Sequence, residues 1–342
     1  MKKSKHYLAI LCSAAMILSM AGCSGPSDAS SEVGTSSSGS TSQTEKTVSS
    51  NKVETSSSKE TTLSKKTITV GFSNWSKSFE FYVDLEKGMQ EVADAEGVTL
   101  LVKDPNGDLA AQTKNLEDFI TQGVDGIIIV PIDSKAAITE VEMVNGKNIP
   151  VVTTDIAVEG GIIASHIASD NRLGGELAAD FIGKQLNGKG KIAIINNPTI
   201  TSVIEREEGF TEKIKKDYPG IEIVSVQSGE SKREKAMSVT ENILQTNPDL
   251  KAIFSVNDMM ALGALQAVQA AQKDKDIIIV GFDATEEAVK YIKEGSALKA
   301  SVAQKPIELG KATMEAMLKA INGEPVEKNI SVPVELVTID NA

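Results

Sequence analysis

The sequence predicts an α/β protein of two similar lobes, each built on a mainly parallel sheet with helices on both faces. Three observations predict it. From Thr67 onward, short β-branched runs alternate with stretches of helical periodicity, and the joins are short. The runs are continuously apolar, as strands buried on both faces are. A pattern also occurs twice. "VDGIIIVPID" (124–133) leads through a helix to "IPVVTTD" (149–155), and "DLKAIFSVND" (249–258) leads through a helix to "DIIIVGFD" (276–283). In each half two apolar strands end in aspartate: Asp133 and Asp155, then Asp258 and Asp283. The chain has 342 residues, 41% of them hydrophobic, which is enough for two such lobes.

The elements follow in order. Lys2, Lys3 and Lys5 precede "YLAILCSAAMILSMAG", an apolar stretch too short to span a membrane well, so residues 1–22 read as an export signal. The stretch ends in "SMAGCS". Small residues before a cysteine resemble a lipobox, with Met20 where Leu is usual. Cys23 is then the acylated first residue of the mature chain; the alternative is a plain secretory signal with an incidental cysteine. Cys12 leaves with the signal, so the mature fold holds no thiol for a disulfide or a nucleophile. Residues 24–66 are Ser- and Thr-rich, carry five acidic residues and five lysines, and lack aromatics. They read as a disordered tether of on the order of 35–40 Å mean reach. Strands are then predicted at "TITVGF", "VTLLVK", "GIIIVP", "IPVVTTD", "IIASHIA", "KIAIIN", "IEIVSVQS", "LKAIFSV", "DIIIVGFD" and "KASVAQ". Helices are predicted over 80–96, 109–122, 134–147, 172–186, 202–217, 231–246, 258–271, 284–294 and 306–322.

The formal net charge is −12, without a basic stripe, which argues against a nucleic-acid partner. Neither a phosphate-binding GxxxxGK[ST] loop nor a GxSxG nucleophile turn occurs. His166 is the only histidine after the signal and lies on an apolar-leaning run, which reads as structural and not metal-ligating. "DPNGDLAAQ" (104–112) has oxygens at alternate positions but lacks the glycine and the distant glutamate of a calcium loop. It reads as a turn, with Asp108 capping the next helix.

What remains is hydrogen-bonding groups beside aromatics. In open α/β sheets ligands sit at the carboxyl ends of the strands, so the repeated aspartates, Asp283 above all, point to a crevice. Arg206, one of three arginines, lies early in a helix. It either faces that crevice or pairs at the surface with Glu205, Glu207 or Glu208. In "SFEFYVDLEKGM" (78–89), Phe81 is either core, with Leu85, or a stacking face together with Phe79 and Tyr82. Flat rings beside Asp, Asn and Arg suit a small polyol.

From Thr67 to about Val337 the chain resembles the type I periplasmic sugar-binding proteins, most closely their ribose-binding-like branch. "SHIASDNRLGGELA", "AIFSVNDMMALGAL", "VGFDAT" and "ASVAQKP" carry the resemblance, supported by "QGVDGIIIVPID" and "REEGF". It implies two doubly wound lobes, 67–169 with 305–333 and 170–304 with 334–342, joined by a three-strand hinge and closing on a sugar. The motif-matched ligand positions are Phe81 and Tyr82 for stacking, then Asp155, Arg206, Asn257, Asp283 and Gln304. Trp75 and Phe79 are further candidates. Phe79 stands where that branch has asparagine, Ile156 where it has arginine, and Ser231 where it has an aromatic. Ribose itself thereby becomes doubtful, while a sugar, sugar alcohol, cyclitol or furanone-type ligand fits. Without a cysteine, a base-paired serine or a metal cluster, an enzyme would depend on Asp155 and Asp283, which suit hydroxyl binding and are not by themselves a proton-transfer pair, so no enzyme activity, cofactor or metal is expected. The resemblance implies an exported monomer, lipid-anchored at Cys23 on the outer face of the cell membrane, that delivers its ligand to an ABC permease. The alternative is a tethered sensor signalling to a membrane receptor or kinase.

Overall fold

The computed structural model describes residues 67–342; the predicted signal, Cys23 and tether lie outside the described residues. In the first lobe, β1 (Thr69–Ser73), β2 (Thr99–Lys103), β3 (Gly126–Ile129), β4 (Val151–Thr154) and β5 (Ser165–Ser169) alternate with α1 (Glu80–Glu96), α2 (Leu109–Gln122) and α3 (Ala137–Asn145). The second lobe repeats the scheme. It contains α4 (Asn171–Gln185), β6 (Lys189–Asn196), α5 (Thr201–Asp217), β7 (Gly220–Ser228), α6 (Arg233–Thr246) and β8 (Leu250–Ser255). It continues through α7 (Asp258–Ala270), β9 (Ile278–Asp283), α8 (Glu286–Lys293) and β10 (Leu298–Ala303). Last come α9 (Pro306–Ile321) and β11 (Asn329–Val332), which return to the first lobe, and β12 (Glu335–Thr338), which ends in the second.

The sheets are ordered β2-β1-β3-β4-β5-β11 and β7-β6-β8-β9-β10-β12. The repeat seen in the sequence is thus a repeat of strand order, with β3 and β4 of the first lobe matching β8 and β9 of the second. All pairings are parallel except β10 with β12, whose partners include Val302 and Leu336. The chain crosses between sheets three times: from β5 into α4, from β10 back into α9, and from β11 into β12.

Close helix pairs complete each lobe. Gly88 of α1 and Gly310 of α9 let those helices touch; a Cβ would lie 2.1 Å from the carbonyl oxygen of Ile307 or Leu85 respectively. In the second lobe Gly175 of α4 and Gly209 of α5 do the same, with a Cβ at Gly175 falling 2.0 Å from the Arg206 carbonyl oxygen. The central strands are buried on both faces: Ile127, Ile128, Ile253 and Ile279 have no solvent exposure.

Three expectations need correcting. β5 begins at Ser165, not at Ile162, because the Asn145 side chain bonds both backbone groups of Ile162 (2.9 and 2.8 Å) and no strand partner is left for them. The helix predicted from 134 begins at Ala137, since Asp133 Oδ1 accepts from the Lys135 and Ala136 amides in a turn. β11 and β12 were not among the predicted strands. The 104–112 segment is a turn: Asp104 accepts from the Asn106 amide, and Asp108 caps α2 by accepting from Ala111 N at 2.7 Å.

Candidate functional site

The carboxyl ends of the strands in both lobes face each other, and a cavity lies between them. Counting the open space at its mouth, it takes in ≈ 450 Å³. All seven expected ligand positions line it: Phe81, Tyr82, Asp155, Arg206, Asn257, Asp283 and Gln304. So do Trp75, Phe79, Ile156 and Ser231.

The first lobe supplies the rings. Trp75 follows β1, and Phe79 to Tyr82 open α1. Trp75 and Tyr82 stack at 6.2 Å with 17° between planes, while Phe79 meets Trp75 edge-on at 5.2 Å and Phe81 meets Tyr82 edge-on at 5.1 Å. Of the two readings of Phe81, the structure therefore joins it to the cluster at the cavity. The Tyr82 hydroxyl donates to Asp155 Oδ2 at 2.9 Å, and burial together with the Asp155 charge raises its pKa, so it stays a donor. Asp155 sits just past β4 with φ 62°, a left-handed conformation that turns its carboxylate out of the strand line. Burial raises the Asp155 pKa, against the lowering influence of Arg206 and the Tyr82 hydrogen bond.

The second lobe supplies the charge. Arg206 is 4% exposed, so it faces the crevice; the surface pair belongs instead to Arg172, which bonds Glu208 and Glu212. Its guanidinium lies 3.7 Å over the Phe282 ring. Nε donates to Asn171 Oδ1 at 2.8 Å, one Nη donates to the Val256 carbonyl at 2.9 Å, and the same atom stands 3.7 Å from Asp283 Oδ1. Asn257 Oδ1 caps α7 by accepting from Met260 N. Gln304, at the second crossing, donates to Asp283 Oδ1 at 2.7 Å and accepts from Ser169 Oγ, at the first crossing, at 2.7 Å.

The four repeated aspartates divide by role. Asp155 and Asp283 reach the cavity, Asp133 caps the turn before α3, and Asp258 lies behind Asp283 with no exposure. Asp258 accepts from Ser301 Oγ (2.7 Å), Thr285 N (2.8 Å) and Thr285 Oγ1 (3.2 Å). Ser301 Oγ in turn accepts from Ala284 N. These bonds clamp a turn in which Asp283 and Ala284 have φ 116° and 50°, values costly for residues with a Cβ. Burial is the main influence raising both carboxyls above the usual range; the Asp283 charge adds to the rise at Asp258, and Arg206 opposes it at Asp283.

His166 lies away from the cavity, bonded through Nδ1 to Thr153 Oγ1 at 2.9 Å; burial lowers its pKa to about 4, so it is a neutral structural group. Among the described residues there is no group of three or more His, Cys, Asp or Glu placed to hold a metal. Sequence reasoning did not single out Ile200, Ser202 and Val203, which line the cavity, or Asn171, which orients Arg206. The signal for the first three was available: they precede Arg206, with Ser202 and Val203 on the same helix and Ile200 at its cap.

Hydrogen bonds also join the lobes at the rim. Thr201 N donates to Ser134 Oγ (3.1 Å), and Ala157 N donates to Thr201 Oγ1 (2.9 Å).

Residues 70–325 match the family described as periplasmic binding protein domain. The chain belongs to this family. Among curated relatives, the ribose import binding protein RbsB of Bacillus subtilis is 39% identical over 271 residues, covering 79% of this chain and 87% of that protein. Among solved structures, an ABC transporter solute-binding protein from Bacillus halodurans with bound myo-inositol is 31% identical, with a TM-score of 0.73 and coverage of 80% and 95%. The binding component of an arabinose ABC transporter from Shewanella sp. ANA-3, bound to L-arabinofuranose, is 30% identical, with a TM-score of 0.74 and coverage of 80% and 92%. Two periplasmic-binding-protein lobes facing one cavity are therefore a shared architecture, while the ligands bound by these similar proteins differ.

Proposed function

We propose that the protein is the substrate-binding component of an ABC importer, capturing a small cyclic polyol between its lobes and releasing it chemically unchanged to a membrane permease. One observation carries the reading: a single cavity has aromatic faces and Asp155 from one lobe and further charged or amide groups from the other. Rings stack on the C–H faces of a sugar-like ring, while carboxylates accept from its hydroxyls and Arg206 donates to its oxygens. Since Asn257 spends its oxygen on the α7 cap, its Nδ2 is the atom left for the ligand. Asp283 and Asp155 are assigned as acceptors, Phe81 and Tyr82 as stacking faces, and Gln304 as the group tying Asp283 to the crossing strands. A ligand touching both lobes binds the closed arrangement more tightly than the open one and so favours closure.

The relatives' ligands support the size and chemistry: ribose, myo-inositol and L-arabinofuranose are all small polyols. The lipobox-like "SMAGCS" supports placing the protein on the outer face of the membrane, anchored through Cys23; Cys23→Ser should then appear in the medium instead of the membrane fraction. Calorimetric titration of the purified protein with pentoses, hexoses, sugar alcohols and inositols tests the binding reading. The expected result is saturable one-to-one binding of at least one of them, recovered intact. No heat from any of these compounds would overturn it.

A further inference from the structure

The polar groups do not surround the cavity. Asp155, Arg206, Asn257, Asp283 and Gln304 supply most of them, with the hydroxyls of Tyr82, Ser202 and Ser231, and the lining also includes three aliphatic side chains: Ile156 (1% exposed), Ile200 (5%) and Val203 (4%). Val203 and Arg206 are three apart on α5 and share a face, and Ile200 is the extended residue that precedes the helix, so the lining passes from apolar to cationic along the start of α5. Ile156 comes from the other lobe. The bond from Ala157 N to Thr201 Oγ1 sets residues 156–157 against the start of α5, so both lobes build the apolar wall. Ser202 is the one polar side chain among the lining residues of the 200–203 segment.

A ligand hydroxyl set against these three side chains, out of reach of Ser202, would lose its water and find no donor or acceptor in return. A hydrogen or methyl in the same place loses nothing and buries apolar surface. We propose that this site takes a deoxy sugar: a cyclic polyol in which one hydroxyl is replaced by hydrogen, or which ends in a methyl group, with the deoxy edge against Ile156, Ile200 and Val203. The inference rests on the polyol reading above and narrows it.

Matched pairs test it, each differing by one terminal hydroxyl: D-galactose and D-fucose, L-mannose and L-rhamnose, D-ribose and 5-deoxy-D-ribose. In titrations of the purified protein, the deoxy member of the best-binding pair is expected to bind at least about tenfold tighter. Val203→Thr places a hydroxyl on the wall with little change in shape, Ile156→Thr does so with the loss of its δ-methyl, and at least one should erase or reverse that preference. Equal or tighter binding of the fully hydroxylated member overturns the deoxy assignment and leaves the polyol reading standing. A preference unchanged in both variants overturns it too, because the wall would not be its source. Binding of none of the six sugars counts against both.

Discussion

At the scale of the residue, the site depends on keeping Asp283 ionised where burial favours its protonated form. Arg206 and Gln304 oppose that tendency from 3.7 and 2.7 Å. Ligand hydroxyls are better accepted by the carboxylate, so the bound form holds protons less tightly than the free form. The sign follows: affinity is full where Asp283 is already ionised and falls as pH drops through its raised pKa. Affinity is therefore expected to weaken between about pH 7 and pH 5, by at most about tenfold per unit for each group involved. Burial raises Asp155 as well, so its protonation weakens affinity in the same direction. Titrations across that range should show a shallower slope in Asp283→Asn than in the parent; an identical slope would remove Asp283 from the ligand's partners. Asp283→Ala, read at neutral pH, should cost about 1–3 kcal/mol of affinity by leaving buried polar partners unpaired. Asp155 and Asp283 were readable in advance because strand ends converge on one edge. Asn171 was not, because its bond to Arg206 spans 35 positions and nothing local to either residue announces it.

At the scale of the element, α5 carries Val203 and Arg206, and its seating against α4 fixes both. Contact between the helices runs over Gly175, directly against the Arg206 carbonyl. Gly175→Ala is expected to push α5 outward, with stability lower by about 1–3 kcal/mol from overpacking. It should also weaken ligand affinity at temperatures where the variant is still folded. Melting curves and titrations together check this; a loss of stability with affinity intact would show that Arg206 does not depend on this seating. The alternation of strands and helices was legible through most of the described chain because each central run is β-branched and each helix has a periodic apolar face. β11 and β12 were not. Each has four residues, they are separated only by Pro333 and Val334, and no helix lies between them to signal an alternation. What defines them is the edge each joins, a property of the assembled sheets.

At the scale of the whole molecule, the lobes meet at the rim as well as around the cavity. Thr201 holds both Ser134 and Ala157 of the other lobe, and Glu286 N approaches Glu80 Oε2 at 3.4 Å. The bonds to Thr201 Oγ1 exist only when the lobes are together; in an open arrangement water would serve the same groups. Thr201→Val keeps the shape and removes the hydroxyl. Closure should become less favourable by about 1 kcal/mol, read as a severalfold loss of affinity with an unchanged melting temperature in the absence of sugar. An equal shift in both quantities would place Thr201 in general folding stability instead of closure. The three crossings make such a hinge economical in atoms: Ser169 and Gln304, on two of them, are bonded to each other and through Gln304 to Asp283, so site and hinge share side chains.

The aromatic cluster has one more consequence. The chain contains a single tryptophan, and it is Trp75, stacked on Tyr82 at the cavity wall with its indole Nε1 buried and unpartnered among the described residues. Indole fluorescence responds to the polarity and hydrogen bonding of its surroundings. Every tryptophan photon this protein emits therefore originates beside the cleft, and its own light is an unlabelled gauge of whether the cleft is filled.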